Sequence, residues 1–249
     1  MEKYARMIPK IIHQIWSGKD GPLPEFMKVW GQTWIDFHPD WQYEFWDHDR
    51  MNSFIHEYFP EYVAVYEQFP YDIQRWDAIR YLILWKMGGM YVDFDYECLE
   101  PFDDILSGKK CCFSMEPESN GYPENKKTDY NFNNALMACT PGHPFMEQII
   151  KEVFLPQKSI YPQSEKFFHV LSTTGPYLLI EIYKNYSCKE DIYLIPADLV
   201  SPFGIREIQM IMSGFKNAHF EERLQNAKAI HYFLGTWKFK EKEIIDLKN

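Results

Sequence analysis

Residues 72–95 read DIQRWDAIRYLILWKMGGMYVDFD. Ile73, Trp76, Ile79, Ile83 and Met87 recur at helical spacing with no proline between them, which predicts a helix over Asp72 to Met87 with one apolar stripe. Gly88 and Gly89 stop it, because glycine readily leaves the helical backbone region. Met90 to Phe94 then reads as a short strand carrying Asp93 toward its end, with Asp95 just beyond. A helix, a glycine turn, a strand and a carboxylate pair fit an α/β sheet, where ligands sit outside the carboxyl ends of the strands.

The flanking sequence extends the pattern. Ile11 to Trp16 is a strand candidate, and a helix from about Pro24 carries Phe26, Val29, Trp30, Trp34 and Phe37 until Pro39 stops it. Trp41 to Trp46 is a second strand, and Asp47 to Arg50 a helix start with Asp49 as its cap. Downstream, Lys110 to Met115 and Ala135 to Cys139 read as strands and Pro144 to Phe154 as a helix. Glu116 to Tyr130 is polar and reads as a loop. A helix after Pro176 and strands near Ile192 to Ile195 and Ala229 to Phe233 complete an α/β fold with a mostly parallel central sheet.

The chain has 249 residues, 46% apolar and 18% aromatic, enough to bury a core as one domain over 1–249. Its 36 acidic against 26 basic side chains, a net charge of -10, argue against nucleic acid as a partner. The 5 cysteines, Cys98, Cys111, Cys112, Cys139 and Cys188, are odd in number and lack Cys-x-x-Cys spacing. Neither a disulfide framework nor a thiolate zinc site is indicated. The longest apolar stretch, Tyr81 to Trp85, is bracketed by Arg80 and Lys86 and is too short to span a bilayer. The polar start at Met1, Glu2 and Lys3 does not resemble a secretory signal, so a cytoplasmic protein is expected.

Asp93 and Asp95 point the same way if the chain is extended, and together could hold Mg2+ or Mn2+, which prefer oxygen ligands. Spacing alone is weak support, since Asp47 and Asp49 share it. Asp77 and Arg80, three apart, share a helix face and could be either a solvated ion pair or part of a site.

The ordered run Asp77-Ala-Ile-Arg80-Tyr81 to Gly88-Gly89-Met90-Tyr91-Val92-Asp93-Phe94-Asp95 resembles glycosyltransferase family 32. That family includes fungal initiating mannosyltransferases and, more distantly, the glucosylating domains of bacterial toxins. The Ile8 to Trp16 segment, Thr33-Trp34, the stretch from His38-Pro39 to Trp46, Asn133-Asn134, Pro141 to Phe145, Thr174-Gly175-Pro176, His231 and Trp237 are similar to further family segments. The resemblance covers nearly the whole chain. It implies a GT-A, Rossmann-like nucleotide-sugar-binding domain with helical additions. The implied activity is transfer of a hexose, with retention, from a UDP- or GDP-sugar to a glycan or lipid-linked saccharide acceptor, assisted by Mn2+ (or Mg2+). A role in surface or capsular polysaccharide assembly, with peripheral membrane contact, is the expected setting.

Carried over by residue, Trp16 would stack on the base and Asp93 would contact ribose and metal. Asp95 would ligate the metal, with His231 completing its shell. Asp77 would bind sugar hydroxyls, Arg80 would sit between sugar and phosphates, Asn134 would contact the sugar, and Trp237 would reach the leaving phosphate. Asp77, Arg80, Asp93 and Asp95 would be the catalytic group. His13 and His169 read as structural. A phosphatase of the haloacid-dehalogenase type needs Thr or Val where Glu97 stands, and a nucleotidyltransferase needs a longer glycine-rich loop than Gly18 to Gly21. The non-enzyme alternative is an inactive relative that binds carbohydrate on its aromatic side chains.

Overall fold

The computed structural model describes residues 7–120, 130–155 and 159–236. In chain order the elements are β1 (Ile11–Ile15), α1 (Glu25–Phe37), β2 (Gln42–Trp46), α2 (His48–Tyr58), α3 (Val63–Gln68), α4 (Asp72–Met87), β3 (Gly89–Val92), β4 (Tyr96–Cys98), α5 (Asp103–Leu106), β5 (Cys111–Met115), β6 (Phe132–Cys139), α6 (Pro144–Phe154), α7 (Lys166–Thr173), α8 (Pro176–Asn185), β7 (Ile192–Ile195), α9 (Ala197–Val200), α10 (Ile205–Met212), α11 (Ala218–Leu224) and β8 (Ala229–His231). Six strands form a sheet in the order β2-β1-β3-β6-β5-β7, and β4 pairs with β8 in a small antiparallel sheet. Five of the six run one way; β6 alone is antiparallel to both of its neighbours. Among the described residues no helix is long and apolar enough to cross a membrane.

Strand side chains alternate between two cores. Tyr91, Met137, Cys139, Cys111 and Phe113 face one, with α4, α6 and α8; Met90, Val92, Leu136, Ala138 and Cys112 face the other, with Trp34 and Phe102. A sheet covered on both faces explains why its strands are nearly continuous apolar runs. The α4 helix is correspondingly buried all round at its centre, from Asp77 through Leu84, rather than along one stripe. It lies between the sheet and α2, α3, α6 and α7.

Several local details differ from the sequence expectation: β6 starts at Phe132, three residues before Ala135, β3 spans Gly89–Val92, and β8 ends at His231. The cap of α2 is Asp47, not Asp49: its carboxylate accepts the Arg50 N–H at 2.8 Å. The run from Asp93 to Asp95 is a tight turn closed by the Tyr96 N–H on the Asp93 carbonyl, not extended strand. At the other end of β3, Gly89 has φ +97° and a Cβ there would stand 2.6 Å from the Ile11 carbonyl oxygen. That close approach is what lets β3 start beside β1 immediately after α4 ends.

Trp34 anchors the second core. It is fully buried, and its indole N–H donates to the Tyr96 carbonyl at 3.0 Å. Trp34→Ala therefore leaves both a cavity and an unpaired carbonyl. We expect a loss of about 3–5 kcal/mol in urea unfolding; a loss under about 1 kcal/mol would contradict this packing.

Candidate functional site

The carboxyl ends of β1, β3 and β5 and the amino end of the reversed β6 open onto one cleft of about 1740 Å³. Its lining includes Trp16, Asp77, Arg80, Asp93, Asp95, Asn134 and His231. These residues come from four separate stretches of chain. Trp237 and the lysines from Lys238 onward lie outside the described residues, as does most of the polar loop after Glu116.

Arg80 is the hub. Its Nη1 donates to the Asn134 carbonyl at 3.0 Å and stands 3.3 Å from Asp93 Oδ1. Its Nη2 is 3.4 Å from Asp77 Oδ1, its Nε donates to the Trp76 carbonyl at 3.2 Å, and the guanidinium lies 4.6 Å from the centre of the Tyr91 ring. A solvated ion pair is excluded, because Asp77 and Arg80 are only 4% and 5% exposed.

Asp77 is held from three sides. Asn134 Nδ2 donates to Oδ1 at 2.9 Å, the Thr174 hydroxyl donates to Oδ2 at 2.9 Å, and Arg80 supplies charge. Asn134 also donates to the Tyr81 hydroxyl, which in turn donates to the Thr174 carbonyl. Burial still dominates and pushes Asp77 up to about 6, against the opposing pull of Arg80, Thr174 and Asn134.

The two aspartates of the turn have different partners. Asp93 accepts a hydrogen bond from the Tyr91 hydroxyl and faces Arg80. Burial raises its pKa, with the Asp95 charge adding and Arg80 opposing. Asp95 Oδ1 lies 3.4 Å from His231 Nε2, and its Oδ2 accepts the Leu234 N–H at 2.9 Å. Burial acts to raise Asp95 too, but His231 and these hydrogen bonds outweigh it and hold the carboxyl below its usual range.

His231 sits on β8 beside β4, stacked on Tyr96 with ring centres 4.2 Å apart. It is 6% exposed and its Nδ1 is buried without a partner. Phe233, which packs on His231, is the non-glycine residue at positive φ (51°) among the described residues. An orphaned imidazole nitrogen and backbone strain next to a carboxylate pair mark a place built for something other than stability. Adjacent ligands of an octahedral ion stand about 3 Å apart when bonds are ~2.1 Å. The 3.4 Å separation of Asp95 Oδ1 and His231 Nε2 fits that. Asp95 and His231 could hold a divalent cation, with Asp93, which faces Arg80, on the other side of the turn.

Trp16 lines the cleft with its indole N–H donating to the Gly21 carbonyl at 3.0 Å, so its ring is fixed by the following loop. His13 lies in the core: Gly88 O sits 2.9 Å from its Nε2 and Trp46 donates to its Nδ1. Burial lowers it to about 4. His169 contacts the Tyr161 carbonyl. A buried Cys111, Cys139 and His143 cluster lies at the opposite end of the sheet from the cleft. There His143 Nδ1 accepts the Phe145 N–H as the cap of α6, which leaves its other nitrogen protonated and turned to donate.

Sequence reasoning did not assign roles to Thr174, Tyr81, Asn133 or Glu116. Tyr81, Asn133 and Thr174 lie inside the family-like segments, so a signal existed. Glu116 stands at a strand end with no motif around it.

The fold is that of a GT-A sugar transferase. The PaToxG glycosyltransferase structure superposes with a TM-score of 0.53 at 20% identity, covering 72% of this chain and 70% of that one. Residues 24–112 match the family described as a glycosyltransferase sugar-binding region containing a DXD motif. The chain is 33% identical over 181 residues to inositol phosphoceramide mannosyltransferase 3 of Schizosaccharomyces pombe, covering 72% of this chain and 46% of that protein. It is 30% identical over 200 residues to the uncharacterized glycosyltransferase L373 of Acanthamoeba polyphaga mimivirus, covering 79% and 74%. The chain belongs to this DXD-motif family, glycosyltransferase family 32. It spans about half the length of the fungal relatives it matches.

The Asp77 network makes a measurable statement. In the ligand-free protein Asp77 should titrate near 6 by carboxyl-carbon NMR. Its folded pKa lies above the unfolded value, so its contribution to stability is full below about pH 4 and is lost as pH rises through 6. Thr174→Val removes a donor to the ionised form and should move the midpoint higher still. A midpoint in the ordinary carboxylate range would contradict this burial.

Proposed function

We propose that this chain transfers a hexose from a nucleotide diphosphate sugar to a saccharide or lipid-linked saccharide, with retention at the anomeric carbon and with a divalent cation, Mn2+ or Mg2+. The observation that carries the proposal is the convergence of two groups in one cleft. The Asp77, Arg80 and Asn134 network stands beside the Asp93, Asp95 and His231 cluster, with Arg80 bridging them. Names of relatives point to mannose as the first sugar to try.

Each side chain has a task suited to its chemistry. Trp16 presents an indole held by its own hydrogen bond, a platform for a nucleoside base. Arg80 remains charged and offers a rigid fork to the departing phosphate, with Asp93 and Asp77 fixing its plane. Asp77 accepts hydrogen bonds from hydroxyls of the donor sugar, and its raised pKa makes donor binding improve as pH rises through about 6. Asn134, tied to both Asp77 and Tyr81, fixes the sugar's side of the cleft. A bound cation would supply positive charge where the leaving diphosphate gathers negative charge. Holding donor and acceptor in register contributes the rest, through pre-arranged orientation.

The test is release of free nucleotide from UDP-glucose, UDP-galactose and GDP-mannose with Mn2+. One donor should be turned over. Asp95→Ala should cut that rate by about a thousandfold or more while leaving the folded secondary structure intact by circular dichroism. Wild-type turnover by Asp95→Ala would contradict the cation assignment, and no turnover of any donor would contradict the proposal.

A further inference from the structure

The order of strands across the cleft lays out an order of binding groups. Trp16 follows β1 and Asp93 follows β3. Asn133 and Asn134 open the reversed β6, and Glu116 follows β5. Strands stand about 4.8 Å apart, so β1 to β5 is roughly 14 Å. If base, diphosphate and donor sugar occupy the first three positions, as the proposed function requires, the next position along the sheet is the acceptor's. Glu116 stands there.

We propose that Glu116 and Asn133 form the acceptor-saccharide subsite, with the Glu116 carboxylate accepting a hydrogen bond from a hydroxyl of the acceptor sugar. This rests on the transferase proposal for the same cleft. Glu116 Oε1 accepts from Asn133 Nδ2 at 2.8 Å and Oε2 from Asn120 Nδ2 at 3.1 Å. Its own N–H donates to the Asn131 carbonyl at 2.7 Å, which fixes the backbone at the mouth of β5. A carboxylate has about four acceptor positions, so two remain for a ligand.

Four of the other cleft carboxylates are committed, and Asp20 stands in the loop after β1, beside Trp16 and away from β5. Asp77 and Asp93 face Arg80, Asp95 faces His231, and Asp72 is paired with Lys19 and Arg75. Glu116 is held by neutral amides, and no ion pair to it occurs among the described residues. A carboxylate positioned by amides, partly exposed in a cleft, is suited to hydroxyl groups, which are neutral donors needing geometry more than charge. The apolar Ile205 side chain and the Tyr177 ring line the cleft with it and could cover a pyranose face. The Ile205 N–H donates to Asn120 Oδ1 at 2.7 Å, so α10 and Glu116 are tied through one amide.

The test uses the whole chain with Mn2+ and two separate readouts. Saturation-transfer NMR with methyl α-mannoside, α-glucoside and α-galactoside reports the acceptor side. Hydrolysis of the nucleotide sugar by water, which needs no acceptor, reports the donor side. Wild-type protein should bind at least one glycoside. Glu116→Gln, nearly isosteric, should weaken it about tenfold or more while donor hydrolysis stays within about twofold, the size expected for losing a charge-assisted hydrogen bond. Glu116→Asp keeps the charge but withdraws it, and should weaken glycoside binding without lowering the thermal midpoint. Unchanged glycoside affinity in Glu116→Gln overturns the inference. So does a parallel loss of donor hydrolysis, which would make Glu116 a structural support, or a wild-type protein that hydrolyses donor yet binds none of the glycosides. A wild-type protein that hydrolyses no donor overturns the transferase proposal and this subsite with it.

Discussion

Burying a guanidinium inside an α/β core is the constraint around which this molecule is arranged. Arg80 is 5% exposed, and such a charge is tolerable only where acceptors surround it. They come from the preceding turn of α4, from the Asn134 carbonyl on β6 and from carboxylates at Asp77 and Asp93. Satisfying one side chain thus fixes the relation of a helix, a reversed strand and the turn after β3. The same groups that neutralise Arg80 are those that a sugar and a diphosphate would meet. Structure and proposed chemistry draw on one set of hydrogen bonds.

The neighbouring cluster is arranged with less regard to stability. His231 carries an orphaned ring nitrogen, Asp95 is pressed against it, and Phe233 holds a left-handed backbone. The unpaired ring nitrogen and the left-handed backbone each cost free energy in the absence of a ligand. The surrounding packing keeps them in place: Tyr96 stacks on His231, and the Tyr232 and Leu234 N–H groups bind the Asp95 backbone and side chain. A site that stores local cost inside a well-packed frame is pre-organised for a charged ligand.

Much of this was legible in the sequence, and the legible parts share a cause. The α4 helix and α6 have the bounds their spacing predicts, because apolar periodicity and the glycine or proline at their ends are local signals. Asp77, Arg80, Asp93 and Asp95 sit in one short run, so their grouping needed little topology. The missed elements depended on distant contacts. The reversal of β6 cannot be read from alternation, and β4 is a strand only because β8 arrives beside it 130 residues later. The α10 and α11 helices close on a small satellite core with Phe203, which no local period announces. Glu116 could be read only as the start of a polar loop, because its partners Asn120 and Asn133 come beside it only when β5 and β6 pair. The α2 cap falls at Asp47, two residues before Asp49, in a place where two aspartates fit the cap pattern.

The claim most exposed to refutation is that the Asp93, Asp95 and His231 cluster binds a cation together with a nucleotide. Isothermal titration of the purified chain with UDP and with GDP, each in Mn2+ and in EDTA, addresses it directly. The account predicts that one of the two nucleotides binds in Mn2+ and that its binding is lost in EDTA. Failure of both nucleotides to bind under either condition would contradict it, and would leave a family member that holds carbohydrate without a nucleotide.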